Sequence, residues 1–161
     1  MKTIILSFSL LLLGFASIAQ EETNGTIYIK HPDIDVVNAA SKAYLAKDDA
    51  TNMKLYSDTA KFWYSGMNKP VSLTEAMKGW DSDFDYFTDI QLKTVGYPDY
   101  LHYKQGDAKI VQSWWTWTGV SKKSGKTIKV DMVLFDWFNN DGKIVTEVGY
   151  GNFDDANKEK M

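Results

Sequence analysis

Two carboxylates interrupt apolar runs near the end of the chain. Asp136 lies within Thr127 to Asn139, and Glu147 within Lys143 to Asn152. A carboxylate facing an apolar pocket loses hydration, its pKa rises, and it can give or take a proton near neutrality. The same residues could be structural, with Asp136 paired to a lysine or tyrosine and Glu147 in water at an open rim. Ion pairs perturb carboxylates as readily as catalysis does.

Other chemistry is thinly represented. There is no nucleophile elbow, phosphate loop or HExxH pair. Gly149-Tyr150-Gly151 begins a GxG turn, but the third glycine is missing and no helix follows. Asp81, Asp83, Asp85 and Asp89 imitate a calcium loop, yet Tyr86 stands at the turn glycine and Leu92 at the bidentate acid. A solvated helix face explains those acids. His31 and His102 are far apart, and a lone histidine among tyrosines is more often satisfied than functional. No motif implies a metal or a cofactor. The six tryptophans suit a core or an interface, and also a wall for a flat or apolar ligand.

The elements that position these residues follow from periodicity. Ile4 to Ala16 is an apolar run behind Lys2, and Ser17-Ile18-Ala19 places small residues where a signal peptidase reads. Residues 1–19 are therefore expected to be a signal peptide, too short for a bilayer anchor, with the mature chain starting at Gln20. The expected compartment is the periplasm or the exterior of a bacterium. A leader, 20–30, contains a possible edge strand at Thr26 to Ile29. His31-Pro32-Asp33 opens a helix with Ile34, Val37, Ser41, Tyr44 and Leu45 at helical spacing. Lys47-Asp48-Asp49 breaks it, and a short second helix carries Met53, Leu55 and Tyr56. Ala60 to Ser65 reads as a strand. Ser72-Leu73-Thr74-Glu75 is a capping box. The helix behind it carries Met77, Trp80, Phe84 and Phe87 on one stripe, and Trp80 is expected to be buried there.

From Ile90 the period changes to two. Lys109 to Gly119, Thr127 to Asn139 and Lys143 to Asn152 are strands, the last two joined by the hairpin signal Asn140-Asp141-Gly142. Gly96 to Gly106 is looser, and 154–161 is a polar tail. Helices followed by antiparallel strands make an α+β domain over 31–153.

Three stretches resemble the nuclear transport factor 2-like superfamily, which includes SnoaL-like and ketosteroid-isomerase-like proteins. They are Lys47-Asp48-Asp49 with Leu55 to Ala60, Ser72 to Trp80, and Ser124-Gly125-Lys126 with Phe135 to Val145. The resemblance implies a cone-shaped, curved antiparallel sheet with about three N-terminal helices on its concave face, a deep pocket, and often a dimer. In that register Asp136 and Glu147 face the pocket as candidate acid and base. Tyr64, Trp80, Trp115, Trp117, Met132, Leu134 and Gly149 form its wall, with Gly149 and Gly151 leaving volume for a ligand.

The family's known catalytic groups do not carry over. Those of ketosteroid isomerases match Ala40, Tyr64 and Leu134. The histidine and aspartate of SnoaL-like cyclases match Glu147 and Gly149. Limonene-epoxide-hydrolase-like chemistry needs an arginine, and the chain has none. The reading is therefore a binding pocket for a small apolar or aromatic molecule. A SnoaL-like isomerase, dehydratase or cyclase is the rival, and a dimeric association module the third class.

Other partners follow from charge and face. The net charge is −3 and every basic residue is lysine, which argues against nucleic acid. No membrane contact is expected after signal cleavage. The same register turns Trp114, Val133, Phe135, Trp137, Val148 and Tyr150 outward. A sheet face in water should be polar, so this patch is expected to pair with a second copy.

Overall fold

A computed structural model describes residues 23–161; the expected signal peptide lies outside them. The first strand, β1 (Gly25–Tyr28), falls in the expected leader. The helix α1 (Pro32–Ala46) starts at His31, whose Nδ1 accepts from the Asp33 amide at 3.2 Å, and ends at Lys47 in the left-handed region. Asp48 then caps α2 (Asp49–Leu55) through the Thr51 amide. Ser72 and Glu75 close the capping box of α3 (Leu73–Tyr86).

The sheet contains β2 (Tyr56–Tyr64), β3 (Val71–Ser72), β4 (Phe87–Thr94), β5 (Asp99–Tyr103), β6 (Lys109–Ser121), β7 (Thr127–Phe138) and β8 (Ile144–Gly151) besides β1. Its order is β1-β5-β6-β7-β8-β2-β3, and β4 pairs with the second half of β6. All pairs are antiparallel except β2 with β8, which run parallel. The fold is α+β with a curved, mostly antiparallel sheet.

Four details differ from the sequence reading. Tyr56 opens β2 rather than closing α2. Phe87 opens β4, where its ring meets Trp117 edge-on at 5.1 Å. Residues 99–103, read as loose, form β5. The polar tail is a helix, α4 (Asp154–Lys160), whose buried Ala156 joins a cluster with Phe87, Trp117, Ile128 and Val130.

The main core lies between α1, α3 and the sheet. It includes Ile34, Val37, Ala40, Tyr56, Phe62, Leu73, Val111, Trp115 and Ile144. Trp80 packs against this core but is only half-buried, because its remaining surface faces a cavity. The expectation of full burial at Trp80 is corrected accordingly.

Candidate functional site

The sheet register builds the site row by row. One inward row runs Val111, Asp136, Glu147 and Phe62 across β6, β7, β8 and β2. The next runs Ser113, Leu134, Gly149 and Tyr64. A bulge sets this phase. Trp137 pairs with Thr146, while Phe138 pairs with Ile144, so Val145 is extra. One extra residue reverses which parity faces inward, and both Ile144 and Glu147 are buried.

Together with the helices these rows enclose a cavity of about 440 Å³. Tyr64, Trp80, Trp115, Trp117, Met132, Leu134, Asp136 and Glu147 all line it. Gly149 does not, and the expectation that it leaves ligand volume is corrected. A Cβ there would run into the ring of Tyr64 and meet Leu134. The glycine is needed so that Tyr64 can lie across β8; the tyrosine has taken the space.

Asp136 and Glu147 are both buried. Tyr56 donates its hydroxyl to Glu147 Oε2 at 2.8 Å, and Tyr64 donates to Oε1 at 2.5 Å. Burial pushes Asp136 well above the usual carboxylate range, and the adjacent Glu147 charge pushes it further. Burial also raises Glu147, but Tyr64, Tyr56 and Asp136 offset this by hydrogen bonding to its charged form. Both tyrosines are pushed far up by burial first and the Glu147 charge second, so they remain donors. The two carboxyls titrate as a unit. Two buried carboxyls paired across the β7–β8 ladder favour keeping one proton between them, and the upward push is the greater on Asp136. Asp136 Oδ1 is buried beside the cavity and has no hydrogen-bond partner.

The indole N–H groups are committed elsewhere. Trp115 donates to Ser113 Oγ at 2.8 Å, and Trp117 donates to the Tyr44 hydroxyl at 2.8 Å. What these side chains offer a ligand is their ring surface. Tyr44 in turn donates to Asp83 Oδ2 at 2.9 Å, and Lys160 of α4 forms an ion pair with Asp83. Asp83, one of the four acids of the calcium-like pattern, is thus part of a clasp between α3 and α4.

Sequence reasoning missed Tyr56, Tyr44, Asp83 and Lys160 as parts of this site. Tyr44 stood on the α1 stripe and could have been found there; Lys160 gave no signal. The histidines lie elsewhere: His31 stacks on Tyr100 at 3.5 Å, and His102 Nε2 meets the exposed Asp107 at 2.5 Å.

No family model and no curated protein matches the chain. Solved structures do. IdmH of Streptomyces antibioticus, a candidate polyketide cyclase, superposes with a TM-score of 0.64 at 15% identity, over 80% of this chain and 98% of the other. An NTF2-like protein of unknown function from Exiguobacterium gives 0.56 at 21% identity, over 73% of this chain and 98% of the other. This chain has the nuclear transport factor 2-like fold. A hypothetical protein from Catenulispora acidiphila with a ketosteroid isomerase-like fold, in complex with trimethylamine, gives 0.55 at 16% identity, over 72% of this chain and 84% of the other. The nuclear transport factor 2-like scaffold thus explains the concave pocket, while its contents here are this chain's own.

Proposed function

We propose that this is an exported protein whose cavity binds a small, largely apolar ring compound. The observation that carries this reading is a cavity of about 440 Å³ walled by aromatic rings and lined also by Asp136, whose buried Oδ1 has no hydrogen-bond partner. Titration of the protein with 2-naphthol, followed by quenching of the cavity tryptophans, tests it. Saturable quenching is expected, and its absence across a panel of ring compounds would refute the reading. For export, intact-mass measurement should give a mature chain that begins at Gln20.

A second reading has its own support. Two inequivalent carboxyls that share a proton beside a cavity suit proton transfer to and from carbon. In this reading Glu147 is the base. It predicts that 2-tetralone loses its α-hydrogens to deuterated water faster with the protein than without. Glu147→Gln should abolish that exchange while retaining binding. Exchange that persists in the variant would remove Glu147 from the mechanism.

The outer sheet face supports a dimer. Phe135, Val148 and Trp63 form one row, and Trp114, Val133 and Tyr150 the next. Phe135 packs against Trp137 at 6.2 Å and Tyr150 at 6.1 Å. The α4 helix packs on the other side of the sheet, among Phe87 and Trp117, so the C-terminal tail does not cover this patch. Lys129 and Asp131, 2.8 Å apart, give it a polar rim. Trp137→Glu should convert dimers to monomers or aggregates in sedimentation velocity. Wild-type protein that is monomeric at tens of micromolar would overturn the pairing.

A further inference from the structure

The charge of the cavity has a consequence for what it can hold. Glu75, Asp83, Asp136 and Glu147 line it, against the single lysine Lys160. That lysine is already paired with Asp83. Among the described residues, then, no cation faces the Asp136–Glu147 pair. The groups that do face it are the hydroxyls of Tyr56 and Tyr64 from β2, and both are spent on Glu147. Trp80 from α3 stands against Tyr56 at 5.8 Å and contributes ring surface. Asp136 Oδ1 is left as a buried oxygen with no hydrogen-bond partner. A buried polar atom without a partner carries a desolvation penalty, which a ligand that supplies the missing group removes.

We propose that the occupant is an organic cation, an amine protonated at nitrogen and carried on an apolar body. The inference deepens the ring-compound reading and rests on it. The ammonium N–H is a donor for the Asp136 carboxyl, which lines the cavity, and its charge lies against the carboxyl pair beside the rings of Tyr56 and Trp80. Cations are attracted to such faces, more strongly where water is excluded. A neutral ligand could supply the hydrogen bond but would leave the pair with its proton. An anion would meet only like charge.

The ammonium charge also changes the proton balance. The cation takes over the neutralising role of the shared proton, and that proton leaves to solvent. No covalent bond is made or broken. Binding should therefore tighten as pH rises, up to the point at which the amine itself deprotonates.

Three probes of similar size separate the possibilities: N,N-dimethylbenzylamine, benzyl alcohol and phenylacetate, titrated by calorimetry in buffers of different ionisation enthalpy. The amine should bind the wild-type protein at least about tenfold more tightly than the alcohol, with proton release, and phenylacetate should bind least. The alcohol matching the amine, or phenylacetate exceeding either, would overturn the cation while leaving the ring-compound reading standing. Failure of all three to bind would overturn both. Asp136→Asn should remove most of the amine's advantage over the alcohol. An advantage that survives this change would overturn the assignment. The comparison of probes on the wild-type protein decides the matter even if the variant folds poorly.

Discussion

Phe62→Ala is expected to lower the unfolding free energy by about 3–5 kcal/mol. The side chain is fully buried, and it supports the site as well as the core. Its ring lies 5.1 Å from that of Tyr56 and meets Trp80 edge-on at 5.4 Å. It also occupies the register position beside Glu147. Truncation leaves a void that β2 cannot close, because β2 is held between β8 and β3. For a domain whose total stability is about 5–15 kcal/mol, the loss is a large fraction. Trp80→Ala should cost less, about 2–3 kcal/mol, since part of the indole already borders open space. Urea denaturation of both variants gives the order. A loss below about 1 kcal/mol at Phe62 would mean that the β2–β8 seam is misplaced.

Asp136→Asn should stabilise the protein at alkaline pH and flatten its pH dependence. The folded pair keeps a proton that the unfolded chain releases once pH passes the ordinary aspartate value of 3.8. An acid whose folded pKa is raised contributes its stability at low pH and loses it as pH climbs toward the folded value. In that window each pH unit removes at most about 1.4 kcal/mol per proton. Asparagine can donate to Glu147 as the protonated acid does, without titrating. Surface acids act in the opposite sense at the acid end. Asp131, held low by Lys129 and Thr116, and Glu75, held low by its Ser72 cap, contribute stability that is lost as pH falls. Urea midpoints from about pH 5 to about pH 9 should fall for the wild type and stay level for the variant. Parallel profiles would mean that the pair does not hold the proton.

The strands announced much of this site. Period-two alternation gave β6, β7 and β8 to within about two residues, and the register implied by the family resemblance put Asp136 on the cavity side, where it lies. Tyr56 escaped because α2 runs into β2 with no turn residue between them. It is at once the C-cap of one and the first residue of the other, so the change of period is hidden there. The α4 helix escaped because six of its seven residues are polar, and Ala156 alone could not mark a buried face. Gly149 was misread for a steric reason. A glycine in a strand signals a close approach, and only the packed structure reveals that the approaching group is Tyr64 rather than a guest. The Lys160–Asp83 clasp joins residues with no local relation in sequence.

The parallel seam between β2 and β8 sets an order of assembly. Tyr56 and Glu147 are separated by 91 residues, and β2 has no other long neighbour, β3 being two residues in length. Closing such a loop is entropically costly and comes late compared with hairpins such as β7–β8. A growing polypeptide that has not reached Ile144 holds Phe62 and two tyrosines on a strand with half its ladder open. Such an edge is the kind that pairs with other chains. Protection of the β2 edge and closure of the Tyr56–Glu147 side of the pocket thus arrive together, once β8 has been made.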